Sequence, residues 1–153
     1  MRVSAKTDYA IRAALELAAA ADNDKPLKGE RISTAQAIPL RFLENILMQL
    51  RHAGLVESRR GAEGGYRLAR PAAEVTLADV IRAIDGPLAG VGGARPETLG
   101  FEGVAAPMRD VWIAVRASLR NVLERVTLAE VIAGDLPAHI REMLADEDAW
   151  VSH

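Results

Sequence analysis

The chain has 153 residues and a formal net charge of −2, and half of its residues are hydrophobic, so it can bury a core and is not a disordered tail. It contains no cysteine, which excludes disulfides, thiol catalysis, thiolate zinc sites and cysteine-ligated clusters. No apolar run approaches the roughly 20 residues of a membrane span, and the start lacks the apolar stretch of a secretory signal, so we expect a soluble, cytoplasmic protein.

Charge is distributed unevenly along the chain. Residues 1–70 hold 12 Lys and Arg against 8 Asp and Glu, whereas residues 71–153 hold 7 against 13. A basic first half beside an acidic second half is typical of a DNA-binding module joined to a part that does not bind DNA. Chance variation alone would also explain this difference in charge, so the assignment of a DNA-binding module has to be supported by the residue pattern.

Three helices are predicted before residue 54. Ser4 is a good N-cap for the first, and a short second helix runs from about residue 29 to residue 36. Pro39 begins a third helix, which Gly54 ends. Its apolar side is formed by Leu40, Leu43, Ile46, Leu47 and Leu50. The second and third helices are joined by a short turn and therefore predict a helix-turn-helix.

A β-hairpin follows the third helix. Two short alternating segments, 55–59 and 66–69, flank a glycine-rich tip. A hairpin directly after a helix-turn-helix is a wing, and the order of these elements is more specific than any one of them. A fourth helix, capped by Thr76, ends at Gly86. We therefore assign residues 1–86 to a winged helix-turn-helix DNA-binding domain in a mainly α protein.

The second half predicts a loop, two helices and a tail. Residues 87–103 are rich in Gly, Pro and Ala, which is typical of an irregular loop. Residues 104–134 hold a long helix and a short helix capped by Thr127. Residues 135–153 form an acidic tail that we expect to fray.

The long helix carries an apolar stripe whose mean step of about 3.5 to 3.6 residues suits a partner helix. The stripe consists of Met108, Val111, Trp112, Val115, Leu119, Val122 and Val126. Packing of this stripe on the chain's own domain is the alternative. Because the winged domain already has a core of its own, we favour a homodimer formed through the long helix.

These residues resemble the Rrf family of bacterial transcription regulators, of the IscR, NsrR and CymR type. The resemblance covers about residues 1–134 and is most specific in the wing and the segment before it. The matching stretches are Met1–Ser4 with Tyr9 and Ala10, Ile38–Val56, Ser58–Gly61 with Gly64–Leu68, Val75–Leu77 with Ile81–Ile84, and Val126–Glu130.

The resemblance implies a homodimer bound to a palindrome, usually as a repressor, with a sensor in the loop before the dimer helix. In many members three cysteines in that loop hold an iron–sulfur cluster, sometimes with a ligand from the first helix of the other subunit. Residues 87–106 contain no thiol and the three histidines are far apart, so we expect no cluster, no metal and no other cofactor. Asp8 stands where some members place a cluster ligand, but a carboxylate stabilised by the helix dipole is the simpler interpretation.

A recognition helix presents its N-terminal residues to base edges in the major groove. Arg41 can donate two hydrogen bonds to guanine, Asn45 can pair with adenine, and Glu44 can accept from cytosine. An ordinary solvated helix face is the alternative interpretation. The outward positions of the third helix are Pro39, Arg41, Glu44, Asn45 and Gln49.

The wing offers a second set of DNA contacts. Arg59 and Arg60 can enter a narrow minor groove or bind phosphate. A close backbone approach to the duplex is expected at the glycines, although a plain hairpin turn explains them almost as well. The residues in this part of the predicted site are Gly61, Gly64, Gly65 and Tyr66.

Two further features complete the predicted DNA surface. Ser4, Lys6 and Lys28 are expected to contact the DNA backbone, or else are unremarkable surface residues. Ala62 and Glu63 replace the Pro-Gly that is usual in the family. The charge of Glu63 should weaken phosphate contact or restrict which DNA sites are accepted.

Tyr9 and Trp112 are the candidates for an effector pocket between the DNA-binding and dimer layers, with core packing as the alternative. The sequence as a whole predicts a sequence-specific repressor that lacks a cluster and responds to a small molecule, a protein partner or no signal. The alternative is a winged-helix protein-interaction module that has lost operator binding, which Glu63 and the acidic second half favour. An enzyme is not expected, because the sequence shows no nucleophile with a placed base and no phosphate-binding loop.

Overall fold

A computed structural model describes residues 3–23 and 25–152 of the chain. Met1 and Arg2 of the first matching stretch, Asp24, and His153 at the end of the acidic tail lie outside the described residues. The described helices and strands are α1 (Ala5–Ala19), α2 (Gly29–Gln36), α3 (Leu40–His52), β1 (Val56–Arg59), β2 (Gly65–Leu68), α4 (Leu77–Asp85), α5 (Met108–Leu123), α6 (Leu128–Ala133) and α7 (Ala138–Leu144). Single 3₁₀ turns lie at Ala72–Glu74, Pro96–Thr98, Gly103–Ala105 and Glu147–Trp150.

The predicted N-caps are confirmed. The Ser4 hydroxyl accepts a hydrogen bond from the Thr7 backbone amide at 3.1 Å, which satisfies a donor of the first turn of α1. Thr76 and Thr127 cap α4 and α6 through reciprocal capping boxes, in which the residue three positions on bonds back to the cap amide.

The turn between α2 and α3 is held by a side chain and by an unusual backbone conformation. Ala37 adopts a left-handed conformation with φ 52°, and the buried Ile38 follows it. The Ser33 hydroxyl donates to the Ile38 carbonyl at 2.6 Å, and the Ile38 amide donates to the Ser33 carbonyl at 3.0 Å. These contacts fix the angle at which α3 leaves α2, and they confirm the helix-turn-helix.

The wing is an antiparallel hairpin in which Val56 pairs with Leu68 and Arg59 with Gly65. Leu27, in the connection between α1 and α2, exchanges both backbone hydrogen bonds with Tyr66 at 2.8 Å. The connection therefore lies along β2 as a one-residue third strand. Periodicity within a segment gives no information on such a long-range pairing, and the sequence did not predict it.

The core is shared by α1, α3, α4 and α6. Its fully covered side chains include Leu17, Leu43, Leu47 and Leu128. Leu128 starts α6, and its backbone amide donates to the Val75 carbonyl at 2.9 Å. The short helix that follows α5 is therefore part of the core of the winged domain, although the sequence grouped it with the dimer helix.

Two predictions for the second half need correction. The long helix ends at Leu123, so Val126 lies beyond it; Val126 is only 3% exposed and its carbonyl accepts from Leu77. Val126 therefore packs within its own protomer and is not available to a partner helix. The acidic tail also contains structure, because α7 buries Ile140 and His139 Nε2 lies 3.2 Å from the Asn121 carbonyl of α5.

Within residues 3–23 and 25–152, no helix has the length and apolar character that crossing a membrane requires.

Candidate nucleic-acid interface

The outward side of α3 is the centre of the candidate interface. Leu43, Ile46, Leu47 and Leu50 are fully buried, which fixes the rotation of the helix about its axis. At about 100° per residue, the stripe opposite those residues begins at Arg41. It consists of Arg41, Asn45, Met48 and His52, all of which are exposed. Two of the four were predicted, whereas Met48, which is apolar, and His52, at the end of the helix, were missed.

The remaining predicted positions of α3 flank this stripe. Pro39 and Glu44 are exposed, and Gln49 is half-buried. Gln49 donates through Nε2 to Oδ1 of Asn45 at 3.0 Å. This bond orients the Asn45 amide along the helix surface, and its carbonyl oxygen keeps a second lone pair for a base.

The wing arginines lie beside a groove of about 420 Å³ between the hairpin, the start of α2 and the end of α3. Within the described chain, neither Arg59 nor Arg60 forms an ion pair, and both are exposed. Lys28 and Arg51 line the same groove, and Arg51 Nη1 donates to the Ser58 hydroxyl at 3.1 Å. The groove therefore presents four cations against the single carboxylate of Glu30, which suits a phosphate backbone.

Arg51 and Lys25 are further candidate residues that the sequence did not single out. Arg51 lies on the last turn of α3 and faces the wing, so only the three-dimensional arrangement places it in the groove. Lys25 forms an exposed ion pair with the wing residue Glu63 at 2.7 Å. This pair offsets the charge of the one wing residue that argued against phosphate binding.

Gly64 and Gly65 are required by packing within the wing. A Cβ on Gly64 would lie 2.2 Å from the Arg59 carbonyl oxygen, and Gly64 is buried. A Cβ on Gly65, whose φ is +152°, would lie 2.6 Å from the Leu27 carbonyl oxygen. The packing interpretation therefore accounts for both glycines, whereas Gly61 at the exposed tip has open space around it.

The start of α1 offers weaker support for DNA contact. Ser4 is exposed, but its hydroxyl caps the helix and also lies 2.9 Å from the Thr7 hydroxyl. Lys6 is half-buried. Thr7 is only 1% exposed, and its hydroxyl donates to the carboxylate of Asp85 at the end of α4. This contact fixes the start of α1 against α4.

The apolar stripe of α5 is only partly covered by the rest of the described chain. No residue of this 16-residue helix is buried, and Val111 is 48% exposed. Its remaining predicted members, Met108, Trp112, Val115, Leu119 and Val122, are half-buried. The adjacent side of the helix carries Arg116 and faces the loop that precedes it.

Tyr9 and Trp112 are not brought together as a pair of rings. The ring contact that the structure records for Tyr9 is an edge-on one with Phe42 of α3, with ring centroids 5.7 Å apart. The Arg12 guanidinium lies 4.9 Å from the centre of the Tyr9 ring. Tyr9 therefore packs α1 against α3, beside the candidate interface.

The loop at the predicted sensor position does not fit an iron–sulfur cluster. It offers no thiolate, and the cavity beside it is lined by four arginines, whose positive charge disfavours a cation there. The two carboxylates that line this cavity already have partners, since Glu97 pairs with Arg116 and Asp85 accepts a hydrogen bond from the Thr7 hydroxyl. No group of three or more metal-binding side chains was found in the described residues.

Known proteins resemble this chain along almost its whole length. A family profile described as "Rrf2: Iron-dependent Transcriptional regulator" matches residues 3–134. A helix-turn-helix transcriptional regulator of Mycobacterium tuberculosis is 49% identical over 152 residues, covering 99% of this chain and 94% of the relative. The regulator CymR of Bacillus subtilis is 34% identical over 131 residues, covering 86% of this chain and 89% of the relative.

Solved structures share the fold. The structure of CymR, the global cysteine regulator of B. subtilis, matches with a TM-score of 0.73 at 32% identity and covers 87% of this chain and 97% of that one. The structure of IscR from T. potens matches with a TM-score of 0.68 at 30% identity and covers 100% and 93%. The wing and the helix-turn-helix are therefore those of a known class of regulators.

Proposed function

This chain belongs to the Rrf2 family of helix-turn-helix transcriptional regulators, and from that we infer that it is a DNA-binding regulator and not an enzyme. We propose that it is a homodimeric repressor of a palindromic operator. The single observation that best supports the proposal is the cationic groove between the wing and the end of α3, the helix whose outward stripe carries Arg41. Arg41 lies in the outward stripe of α3, and Arg59 and Arg60 border the adjacent groove. This arrangement suits base contacts from the helix and backbone contacts from the wing.

The homodimer is supported by the partly uncovered stripe of α5. A 16-residue amphipathic helix with no buried residue leaves part of its apolar side in contact with water, which is costly unless a second copy covers it. Two copies related by a two-fold axis would present two recognition helices, and a two-fold protein matches a palindromic site. We place the protein in the cytoplasm, where a bacterial regulator meets its operator.

We propose that the regulator acts without an iron–sulfur cluster, because its sensor loop lacks thiolates and is lined by arginines. Purified protein should show no stoichiometric cluster absorbance after anaerobic reconstitution with iron and sulfide. A bound chromophore at one cluster per chain would contradict this part of the proposal.

The operator can be found by selecting bound DNA from a random-sequence pool. We expect enrichment of a palindrome whose affinity falls steeply with salt, because lysines and arginines release counterions from phosphate. Failure to enrich any sequence, together with affinity that does not respond to salt, would favour the winged-helix protein-interaction module instead.

The dimer is tested by placing a charge in the stripe. Val115→Glu should convert a dimer into a monomer in light-scattering measurements, because a buried unpaired carboxylate opposes association. Ala117→Glu is the matched control, since Ala117 is exposed on the opposite side of the same helix. A monomeric wild-type protein, or equal dissociation in both variants, would contradict the assignment of the stripe.

A further inference from the structure

A cavity of about 570 Å³ lies between the end of α4, the loop 86–97 and one side of α5. Its volume falls within the range of about 300–1,000 Å³ that is usual for small-molecule sites. Four guanidinium groups line it, from Arg82, Arg95, Arg116 and Arg120. We propose that this cavity binds a small organic anion that carries two or more carboxylate or phosphate groups.

The charge of the cavity favours an anion. Arg82 and Arg120 both bond to one carboxylate, that of Glu124, so these two cations share a single negative charge. Arg116 pairs with Glu97. Arg95 has no ion pair with any other part of the described chain, and it is exposed. Asp85 also lines the cavity, so three carboxylates lie in or beside it, those of Asp85, Glu97 and Glu124, against four guanidinium groups. A ligand would supply the missing negative charge.

The arginines of the cavity stabilise negative charge on the carboxylates already present. Hydrogen bonds from Arg82 and Arg120 lower the pKa of Glu124. A backbone hydrogen bond and then the Arg116 guanidinium lower the pKa of Glu97. A guanidinium presents its donors as a planar fork that matches both carboxylate and phosphate, so the same groups can bind either class of acid.

The wall of the cavity that the loop 86–97 forms carries Arg95 but otherwise consists largely of small and apolar residues. Gly90 and Gly93 contribute no side chain to the cavity, so backbone groups are accessible there. Leu88 is 8% exposed and Pro96 is buried, which anchors the loop on both sides of the glycines. The reciprocal backbone hydrogen bonds between Val91 and Ala94, both of 3.0 Å, close the tip of the loop. The loop therefore forms a defined wall for the cavity.

The cavity is connected to the DNA-binding domain through one carboxylate. Asp85 lines the cavity and accepts the hydrogen bond of the buried Thr7 hydroxyl, which in turn contacts the Ser4 cap of α1. A ligand anion would repel Asp85 and disturb the contact that fixes α1 against α4. The anion would then be the effector of the repressor. This role rests on the proposed function, but the binding of the anion does not depend on it.

Binding is tested by calorimetry on the full chain without DNA, at constant ionic strength, with citrate and inorganic pyrophosphate as probes. We expect saturable binding of at least one probe and none of triethyl citrate, which is neutral. Arg95→Gln and Arg116→Gln should each weaken binding by about 10- to 100-fold, as loss of a hydrogen bond to a charged group does. Arg141→Gln, on α7 and with a side chain 59% exposed, is the matched control and should bind as the wild type does.

Arg116→Gln removes the ion pair with Glu97, so its thermal unfolding has to be compared with that of the wild type. Arg95→Gln removes no ion pair within the described chain and keeps the test decisive if the other variant is unstable. Absence of saturable binding at millimolar probe, or equal weakening by Arg141→Gln, would overturn the anion site. Because no DNA is present in this experiment, its failure would leave the repressor proposal intact. Conversely, a protein that binds citrate but no operator would contradict the repressor proposal and not the anion site.

Discussion

Arg41 and Arg60 carry the same charge but lie on different elements, and their positions predict different roles. Arg41 projects from the first turn of α3 in the outward stripe, whereas Arg60 borders the wing groove. Arg41→Ala should lose about 1–3 kcal/mol of discrimination at one base pair, because a bidentate contact to guanine is removed.

Arg60→Ala should instead weaken binding evenly across sequences and reduce its dependence on salt, as loss of a phosphate contact does. Both effects are measured by competition between the selected operator and single-base variants of it. Equal loss of specificity from the two substitutions would show that the roles are wrongly assigned.

Gly65 is a residue at which a single methyl group should harm the wing and its pairing with Leu27. Gly65→Ala places a Cβ 2.6 Å from the Leu27 carbonyl oxygen at φ +152°, so the backbone of the α1–α2 connection or of β2 has to move. We expect a loss of at least about 1–3 kcal/mol in the free energy of unfolding, measured with urea.

The control is Gly61→Ala, where φ is +105° but nothing lies within 4 Å of the added methyl group. It should show backbone strain without the clash, and hence a smaller loss. A Gly65 variant no less stable than the Gly61 variant would mean that Leu27 does not pack against β2 as described.

Sequence patterns predicted single residues well where a local rule applies. Ser4, Thr76 and Thr127 were predicted as caps, and each of them caps its helix. The role of Lys25 could not be predicted, because its partner Glu63 lies 38 positions away and only folding brings the two together.

At the scale of elements, α6 depends on a cap that holds it in the core. The Thr127 hydroxyl accepts from the Glu130 amide at 3.2 Å, and the Glu130 carboxylate accepts from the Thr127 amide at 2.7 Å. Thr127→Ala should cost about 1 kcal/mol, and Thr127→Ser should retain most of the stability. Urea denaturation followed by circular dichroism measures both, and equal stability of the two variants would show that the cap contributes nothing.

The periodicity of apolar residues predicted every helix up to residue 133 but misplaced one end. Val126 continues the stripe of α5 at the correct spacing, yet the helix stops at Leu123 and Val126 is buried in the core beyond it. Spacing alone cannot distinguish a residue on a helix stripe from a core residue that follows the helix. The helix α7 was missed because acidic composition masked the burial of Ile140.

At the scale of the whole molecule, Glu97 and Glu124 connect the loop and α4 to α5 through ion pairs with arginine. The pKa of each carboxyl is lowered in the folded protein. A lowered pKa contributes stability that is present above the usual value of 4.5 and is lost as the pH falls through the lower, folded-state pKa.

The melting temperature should therefore fall on acidification below about pH 4.5, in part through these two groups. Glu124→Gln removes one of them, so the difference in melting temperature between this variant and the wild type should shrink as the pH falls. A difference that stays constant from neutral pH into the acid range would show that the pairing of Glu124 adds no pH-dependent stability.

After α5 the chain packs against its first helix, α1, and this packing has a consequence for folding during synthesis. Leu128 fills the core beside α1, and the backbones of Val75 and Leu77 bond to Leu128 and Val126. When only residues 1–86 have left the ribosome, α3 and the wing are present, but the last part of the core that supports them is not. The winged domain is completed only after α5 has emerged, so its core cannot close around Leu128 before that amphipathic helix has also been synthesised.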